Sequence, residues 1–334
     1  MRKLIPLAAG FATALCVANT AVAQTTTLKF ITLVPGTDRS VTEVIQPWMR
    51  AVERDSGGTI KFQGFFGGQL VQSLAKEFET VMSGVADTGY IISSITYSLF
   101  PDMELLSMPL LVNSSAEGTH VAWRLYEKGL MRGLENVYLA AIFTNDPNGI
   151  HLTKKINSIA ELAGVKIRVS GPGQSAVVQA LGGVPIGGPV PQSAESLSRG
   201  LYQGTLAGWA ANATFRLGPL LKSNIDLPFG VQAIFVPINK KVYDALPPQG
   251  REAINKNSGL ALSQKFSQTL EITGSGDRAE AKANGKLVTV SAGDRAAIEA
   301  KMKPIVEKWI ADNPDGAKKW AVAQEALAEL RKPR

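Results

Sequence analysis

The sequence predicts two α/β domains closing on a shared cleft, with a long helix laid across both, and three observations carry that prediction. At about 100–200 residues per domain, 334 residues is chain enough for two cores. One supersecondary order, β-α-β-α-β, occurs twice, once near the start of the chain and again after residue 164. From Pro247 a helical apolar pattern runs on to Ala283. At 1.5 Å per residue that is on the order of 50 Å, too long for one small domain to cover.

The first 23 residues stand apart from this scheme. Arg2 and Lys3 form a charged start, Leu4 to Val17 an apolar stretch, and Ala21-Val22-Ala23 a small-residue cleavage site. This is the pattern of a secretory signal peptide, with cleavage expected before Gln24. The apolar run falls short of the roughly 20 residues a membrane span needs. Leu15 stands before Cys16, where a lipid-attachment motif wants a small residue. Processing removes the single Cys, leaving no disulfide or thiol, and takes Lys+Arg from 35 to 33 against 28 Asp+Glu, a net charge of +5. A modestly basic protein outside the cytoplasm suits anionic small molecules.

The first copy of the repeat opens with Leu28-Lys29-Phe30-Ile31-Thr32-Leu33, which alternates as a strand and ends at Pro35-Gly36. Ser40 to Asp55 places Val41, Val44, Ile45, Trp48 and Val52 at helical spacing, and Gly57-Gly58 stops it. Thr59 to Phe66 returns to alternation, Leu74 to Met82 is helical, and Val85 to Ile92 reads as the third strand. The second copy runs strand (Val165–Val169), helix (Gln174–Leu181), strand (Val184–Ile186), helix (Ser193–Tyr202), strand (Thr205–Ala210). Leu287 to Val290 reads as a last strand, with terminal helices at Ala292–Trp309 and Asp315–Leu330. No Gly/Ser-rich linker separates the copies, so crossing strands are expected to join them. The expected first domain is 24–147 with 234–273, and the second 148–233 with 274–334.

Alternating β and α with right-handed crossovers gives mostly parallel sheets covered by helices. Ligands of such sheets bind beyond the carboxyl ends of the strands, which places the loops after Leu33, Phe66, Ile91, Val169, Ile186 and Trp209 on one cleft.

The residue types argue for binding and against catalysis. Only His120 and His151 supply imidazole, no G-x-S-x-G elbow is present, and no ligand cage for a metal is apparent. Gly171-Pro172-Gly173-Gln174-Ser175-Ala176 has the form of a dinucleotide fingerprint, but no acid ends the next strand to hold a ribose. Basic residues are scattered, without the basic and aromatic stripe of a nucleic-acid binder. No catalytic residue, metal or cofactor is therefore expected. Arg168, one residue from the end of its strand, offers a planar donor fork suited to a carboxylate. His151, after Asn148-Gly149, is a second candidate for the cleft wall. Tyr90 and Trp209, at equivalent strand ends of the two copies, are candidate flat walls.

Several segments together then carry a family resemblance: Phe66-Gly67-Gly68-Gln69-Leu70, Gly84-Val85-Ala86-Asp87, Met108-Pro109-Leu110-Leu111, the run Ile156 to Val169, and the run Ile238 to Pro248. Over essentially its whole mature length the chain resembles the DctP-type solute-binding proteins of tripartite ATP-independent periplasmic (TRAP) transporters. The resemblance implies a two-domain periplasmic binding protein, a venus flytrap with a long domain-spanning helix. It implies a protein that captures an organic acid in the periplasm, pairs its carboxylate with Arg168, and delivers it to the membrane permease subunits; a monomer is expected. His151 and Asn212 would add hydrogen bonds, with Tyr90, Trp209 and Phe215 walling the cleft. The alternative use of the same fold is a sensory adaptor presenting ligand to a membrane receptor. Two departures stand out. Many relatives carry a second arginine where this chain has His151. Their Asp-Gly-Gln-Glu-Asn run is here Ala207-Gly208-Trp209-Ala210-Ala211, with Asn212 one place late. Both changes point to a more apolar or bulkier ligand than a small dicarboxylate.

Overall fold

The computed structural model describes residues 25–332; the expected signal peptide, with Cys16, lies outside the described residues. Strand β1 (Thr26–Ile31) buries Leu28, Phe30 and Ile31. A π-helical turn at Ser40–Ile45 runs straight into α1 (Gln46–Asp55), and together they bury the expected stripe of Val41, Val44, Ile45, Trp48 and Val52. β2 (Ile60–Phe65) and α2 (Leu74–Met82) follow. The expected third strand is split into β3 (Thr88–Gly89) and β4 (Ile91–Ile92), with Tyr90 between them. Helix α3 (Ser115–Glu127) leads to β5 (Val137–Thr144).

The second half holds β6 (Gly149–Leu152), β7 (Lys166–Val169), α4 (Pro172–Ala180), β8 (Val184–Gly187) and α5 (Ser193–Ser198). It continues through β9 (Gly204–Ala207), α6 (Trp209–Thr214) and β10 (Ser223–Ile225). β11 (Ala233–Asn239) then returns to the first sheet and leads into the short α7 (Lys240–Ala245). That sheet has the order β2-β1-β3-β11-β4 with β5 on β11, and the second has β10-β6-β9-β7-β8. The internal repeat is visible in the pairing. In each copy the first strand lies between the second and the third, all three parallel: β2-β1-β3 and β8-β7-β9.

Two segments connect the sheets, one from β5 to β6 and one from β10 to β11, and Asn side chains bind them to each other. Gln232 N donates to Asn145 Oδ1 at 2.6 Å, Asn148 Nδ2 donates to Gly230 O at 2.9 Å, and Asn145 Nδ2 donates to Asn148 Oδ1 at 2.8 Å. Crossing strands join the halves, as expected.

The long helix differs from expectation in its continuity. It is broken into α8 (Pro248–Asn257) and α9 (Leu260–Ala283) at Gly259, whose φ of +88° lies outside any helix. Gly259 N donates to Ala140 O at 2.7 Å, which fixes the break on β5. The 24 residues of α9 span about 36 Å, which still reaches both halves. Its first part buries Leu262, Phe266 and Leu270 in the first core, where Phe266 stacks on Phe143 with centroids 4.2 Å apart. Its last part reaches the second half, where Arg278 pairs with Asp226 at 2.7 Å. Between them Gly274 lets the helix approach α6: a Cβ there would lie 2.7 Å from Ala210 N and 2.8 Å from Trp209 Cβ.

Three further expectations differ. Leu287–Val290 is not a strand; Leu287 makes a single bridge to Asn224. The third strand of the second copy stops at Ala207, and α6 begins at Trp209. The terminal segment does not stay with the second half. α10 (Ala292–Asp312) buries Ile298 and Met302 in the second core and Trp309 in the first, and α11 (Gly316–Arg331) packs wholly on the first. Charge explains the docking. Lys319 and Arg132 converge on the buried Asp102 at 2.5 and 2.7 Å, and Arg331 forks onto Glu117 on α3 at 2.7 and 2.8 Å. Burial by itself would raise the Asp102 pKa, but these two cations hold it below the ordinary carboxylate value. Among the described residues no helix is long and apolar enough to cross a membrane.

Candidate functional site

Where the parallel strands of the two sheets end, the chain leaves a cleft of about 1050 Å³. One wall is Leu33 after β1, Gln72 to Ala75 at the start of α2, and Ile95 and Tyr97. The other is Val169 to Pro172 after β7 and Gly187 to Pro189 after β8. This is the position the strand directions dictate. Through Leu33, Leu74 and Pro191, which line both, the cleft continues into a recess of about 80 Å³. By a measure on which one water takes roughly 10–15 Å³, the recess holds a group of several heavy atoms. Thr32, Asp38, Tyr90, Ile92 and Leu270 line it from the first half; Val190, Ala210, Ala211, Thr214 and Phe215 line it from the second.

Arg168 is the largest fully buried side chain, with 0% exposure. Its guanidinium faces only neutral oxygens. Nε donates to Gly188 O at 2.7 Å, Nη1 approaches Leu206 O at 3.5 Å, and Nη2 meets Ser170 Oγ. Ser170 and Gly188 both line the cleft. Among the described residues no carboxylate pairs with Arg168, and burial lowers its pKa from 12.5 to about 10. Beside it in the sheet register, the buried Thr205 Oγ1 lacks a partner. A charge taken out of water without a counter-ion is costly.

The other expected site residues divide. Tyr90 and Phe215 line the recess. Tyr90 packs edge-on to Phe143 and Phe266 at 5.6 and 6.1 Å, and burial, with Asp38 and Glu77 nearby, holds its phenol above the ordinary value. His151, Trp209 and Asn212 line neither the cleft nor the recess. His151 is fully buried on β6, its Nδ1 2.8 Å from Asn224 Oδ1 and its Nε2 3.0 Å from Ala207 O. Burial lowers its pKa against the pull of those two oxygens. Trp209 meets its ring edge-on at 4.6 Å and donates Nε1 to Asp226 Oδ1 at 3.0 Å. Asn212 is fully buried with both amide atoms unpartnered, on a separate small cavity shared with Trp209 and Asn224.

The reason lies in the turn at Gly208. Because the chain enters α6 there, Trp209 and Asn212 are three apart on one helix face, while Ala210, Ala211 and Thr214 face the recess. Gly208 itself is required: a Cβ would meet Asp146 Oδ1 at 2.3 Å. Asp146 accepts from Ala210 N at 3.2 Å, and burial pushes its pKa up to about 7.

Asp38 and Thr214 were missed from sequence. Asp38 Oδ1 accepts from Ser40 N at 2.8 Å and Oδ2 from Thr214 Oγ1 at 2.7 Å, the second bond joining the two halves. Their signal was positional only, since Asp38 sits in the loop after β1 that strand direction aims at the cleft. A second link between the halves is Glu104 Oε1, which accepts from Gly173 N at 2.7 Å; burial pushes this carboxyl up to about 7.

Comparison with known proteins finds the same fold elsewhere. A TRAP solute-binding protein from a marine metagenome, described as specific for aromatic acid ligands and solved with 3-hydroxybenzoate, superposes with a TM-score of 0.86 at 25% identity. The match covers 92% of this chain and 100% of that one. A TRAP solute-binding protein from Rhodoferax ferrireducens, solved with copurified benzoate, has the same fold at a TM-score of 0.84 and 24% identity, over 91% of this chain and 98% of that one. Among curated proteins, the outer membrane transporter protein TsaT of Comamonas testosteroni is 24% identical over 294 residues, 85% of this chain and 84% of its own length. The model of the bacterial extracellular solute-binding proteins, family 7, matches residues 32–313, and the chain belongs to that DctP family.

Proposed function

We propose that this protein captures an apolar, ring-bearing monocarboxylate in the cleft between its halves and delivers it, in the periplasm, to the membrane permease of a TRAP transporter. The observation that carries the reading is Arg168, a fully buried guanidinium directly behind the cleft wall, bonded to Gly188 and Ser170 that line it and with neutral acceptors alone. A carboxylate takes such a fork in two parallel hydrogen bonds. The inner recess receives the rest of the molecule. Its walls include Tyr90, Ile92, Val190, Phe215 and Leu270, and two alanines, Ala210 and Ala211, add only short side chains to the lining. The aromatic acids of the marine relative are of the same class.

Ligand in the cleft touches both halves and so favours the closed arrangement by its differential affinity for it. Native mass spectrometry of freshly purified protein identifies a retained ligand. Competition by thermal shift then ranks aromatic and branched monocarboxylates against succinate. The monocarboxylates are expected to raise the melting temperature more, and a clear preference for succinate refutes the reading.

A further inference from the structure

The recess has a polar end that the capture of a carboxylate does not use. Asp38 is an acceptor with two oxygens and roughly four lone-pair positions, of which Ser40 N and Thr214 Oγ1 take two. Tyr90, on the same recess, brings a phenol whose proton is held firmly by burial and by the nearby Asp38 and Glu77 charges. An acceptor with spare capacity and a donor therefore stand together in a chamber otherwise lined by Ile92, Val190, Phe215 and Leu270. A hydrocarbon ring alone would desolvate both groups and give nothing back. A hydroxyl satisfies both, donating to the carboxylate and accepting from the phenol.

We propose that Asp38 and Tyr90 read a hydroxyl group on the ligand at the end remote from its carboxylate, so that the preferred ligand class is a hydroxylated aromatic acid. The inference rests on the monocarboxylate reading above and narrows it. Asp38 and Tyr90 both belong to the first half; Thr214 bonds Asp38 from the opposite half, so closure fixes the Asp38 carboxylate and walls in the hydroxyl. Discrimination comes from the cost of leaving the half-buried Asp38 and the buried Tyr90 short of a partner once a ligand has excluded water from them, the same reason that sites built for a hydroxyl reject the analogue that lacks it.

The test is isothermal titration calorimetry of the wild-type protein with benzoate and with 2-, 3- and 4-hydroxybenzoate, repeated on Asp38→Ala and on Tyr90→Phe. In the wild type 3- or 4-hydroxybenzoate is expected to bind about tenfold or more tightly than benzoate, the range of one hydrogen bond to a charged acceptor, while 2-hydroxybenzoate, whose hydroxyl lies beside the carboxylate, gains no such advantage. In each variant that ratio is expected to fall toward one. Tyr90→Phe keeps the ring packing on Phe143 and Phe266, so it reports even where Asp38→Ala disturbs the Ser40 turn. A bond that merely latches the two halves would weaken benzoate and hydroxybenzoates by the same factor. An unchanged ratio in both variants, or a wild-type ratio near one, overturns the proposal. Failure of every benzoate to bind sinks the monocarboxylate reading itself and the inference with it, an outcome distinct from tight binding without discrimination.

Discussion

Replacing Arg168 with methionine separates what the residue does for binding from what it costs the fold. The side chain has 0% exposure and no carboxylate partner among the described residues, and burial draws its pKa from 12.5 to about 10. At about 1.4 kcal/mol per unit, holding the charge there costs roughly 3 kcal/mol relative to water. Methionine has a similar length and no charge, so it removes that cost without the cavity that alanine would leave. Against this, Gly188 O, Leu206 O and Ser170 Oγ lose a donor, which returns part of the gain. The balance is a ligand-free variant more stable by about 1–2 kcal/mol, seen as a melting temperature higher by roughly 2–4 °C in calorimetry. If Arg168 anchors the carboxylate as proposed, the same variant's affinity for an aromatic acid is expected to fall more than tenfold. The paired outcome, stability up and binding down, is what an uncompensated buried charge requires. A melting temperature lowered by several degrees would mean that the guanidinium is already well compensated. Unchanged calorimetric affinity would falsify the anchoring role.

Two further predictions come from other parts of the structure. Glu77 is buried, accepts at Oε1 from Leu33 N at 2.9 Å, and leaves Oε2 unpartnered; burial pushes its pKa up to about 8. A raised carboxyl stabilises the fold in its neutral form. That contribution is complete below about pH 4 and is lost as pH rises toward 8, with Glu104 and Asp146, both about 7, adding in the same direction. Glu77→Gln keeps the acceptor for Leu33 N and removes the ionisation. It is expected to match the wild type near pH 4.5 and to exceed it in melting temperature at pH 8.5; parallel curves across that range would contradict it. Gly274→Ala sets a methyl against the backbone of α6 and is expected to cost about 1–3 kcal/mol. Because α6 carries Ala210, Ala211 and Thr214 of the recess, ligand affinity falls with it, and a variant as stable and as tight-binding as the wild type would show that α9 and α6 move apart freely.

Local patterning made the repeated β-α-β-α-β units legible. Val41, Val44, Ile45, Trp48 and Val52 had to share a helix face, and paired glycines marked the stops. The strands that complete the two sheets were not legible in the same way. β5 and β11 are buried on both faces, and Val137 to Thr144 and Ala233 to Asn239 read as continuous apolar runs without a period. Charge-led docking of α11 on α3 was also out of reach, since Asp102 and Lys319 lie 217 residues apart in the chain.

The cleft was readable, and Arg168 was singled out, because a parallel strand's end and its next residue are fixed by chain direction. The family, too, was written in contiguous motifs. What only the tertiary structure decided is which neighbours of those strand ends face the cleft. His151, Trp209 and Asn212 occupy the expected stretches of chain, yet the turn into α6 at Gly208 rotates Trp209 and Asn212 away and brings Thr214 and Phe215 to the recess. Asp38 reaches Thr214 across 176 residues of sequence. The sequence determined the strand directions because those follow from local periodicity and handed connections. The helix rotation and the contact between halves depend on close approaches, such as Gly274 against α6, that no local pattern encodes.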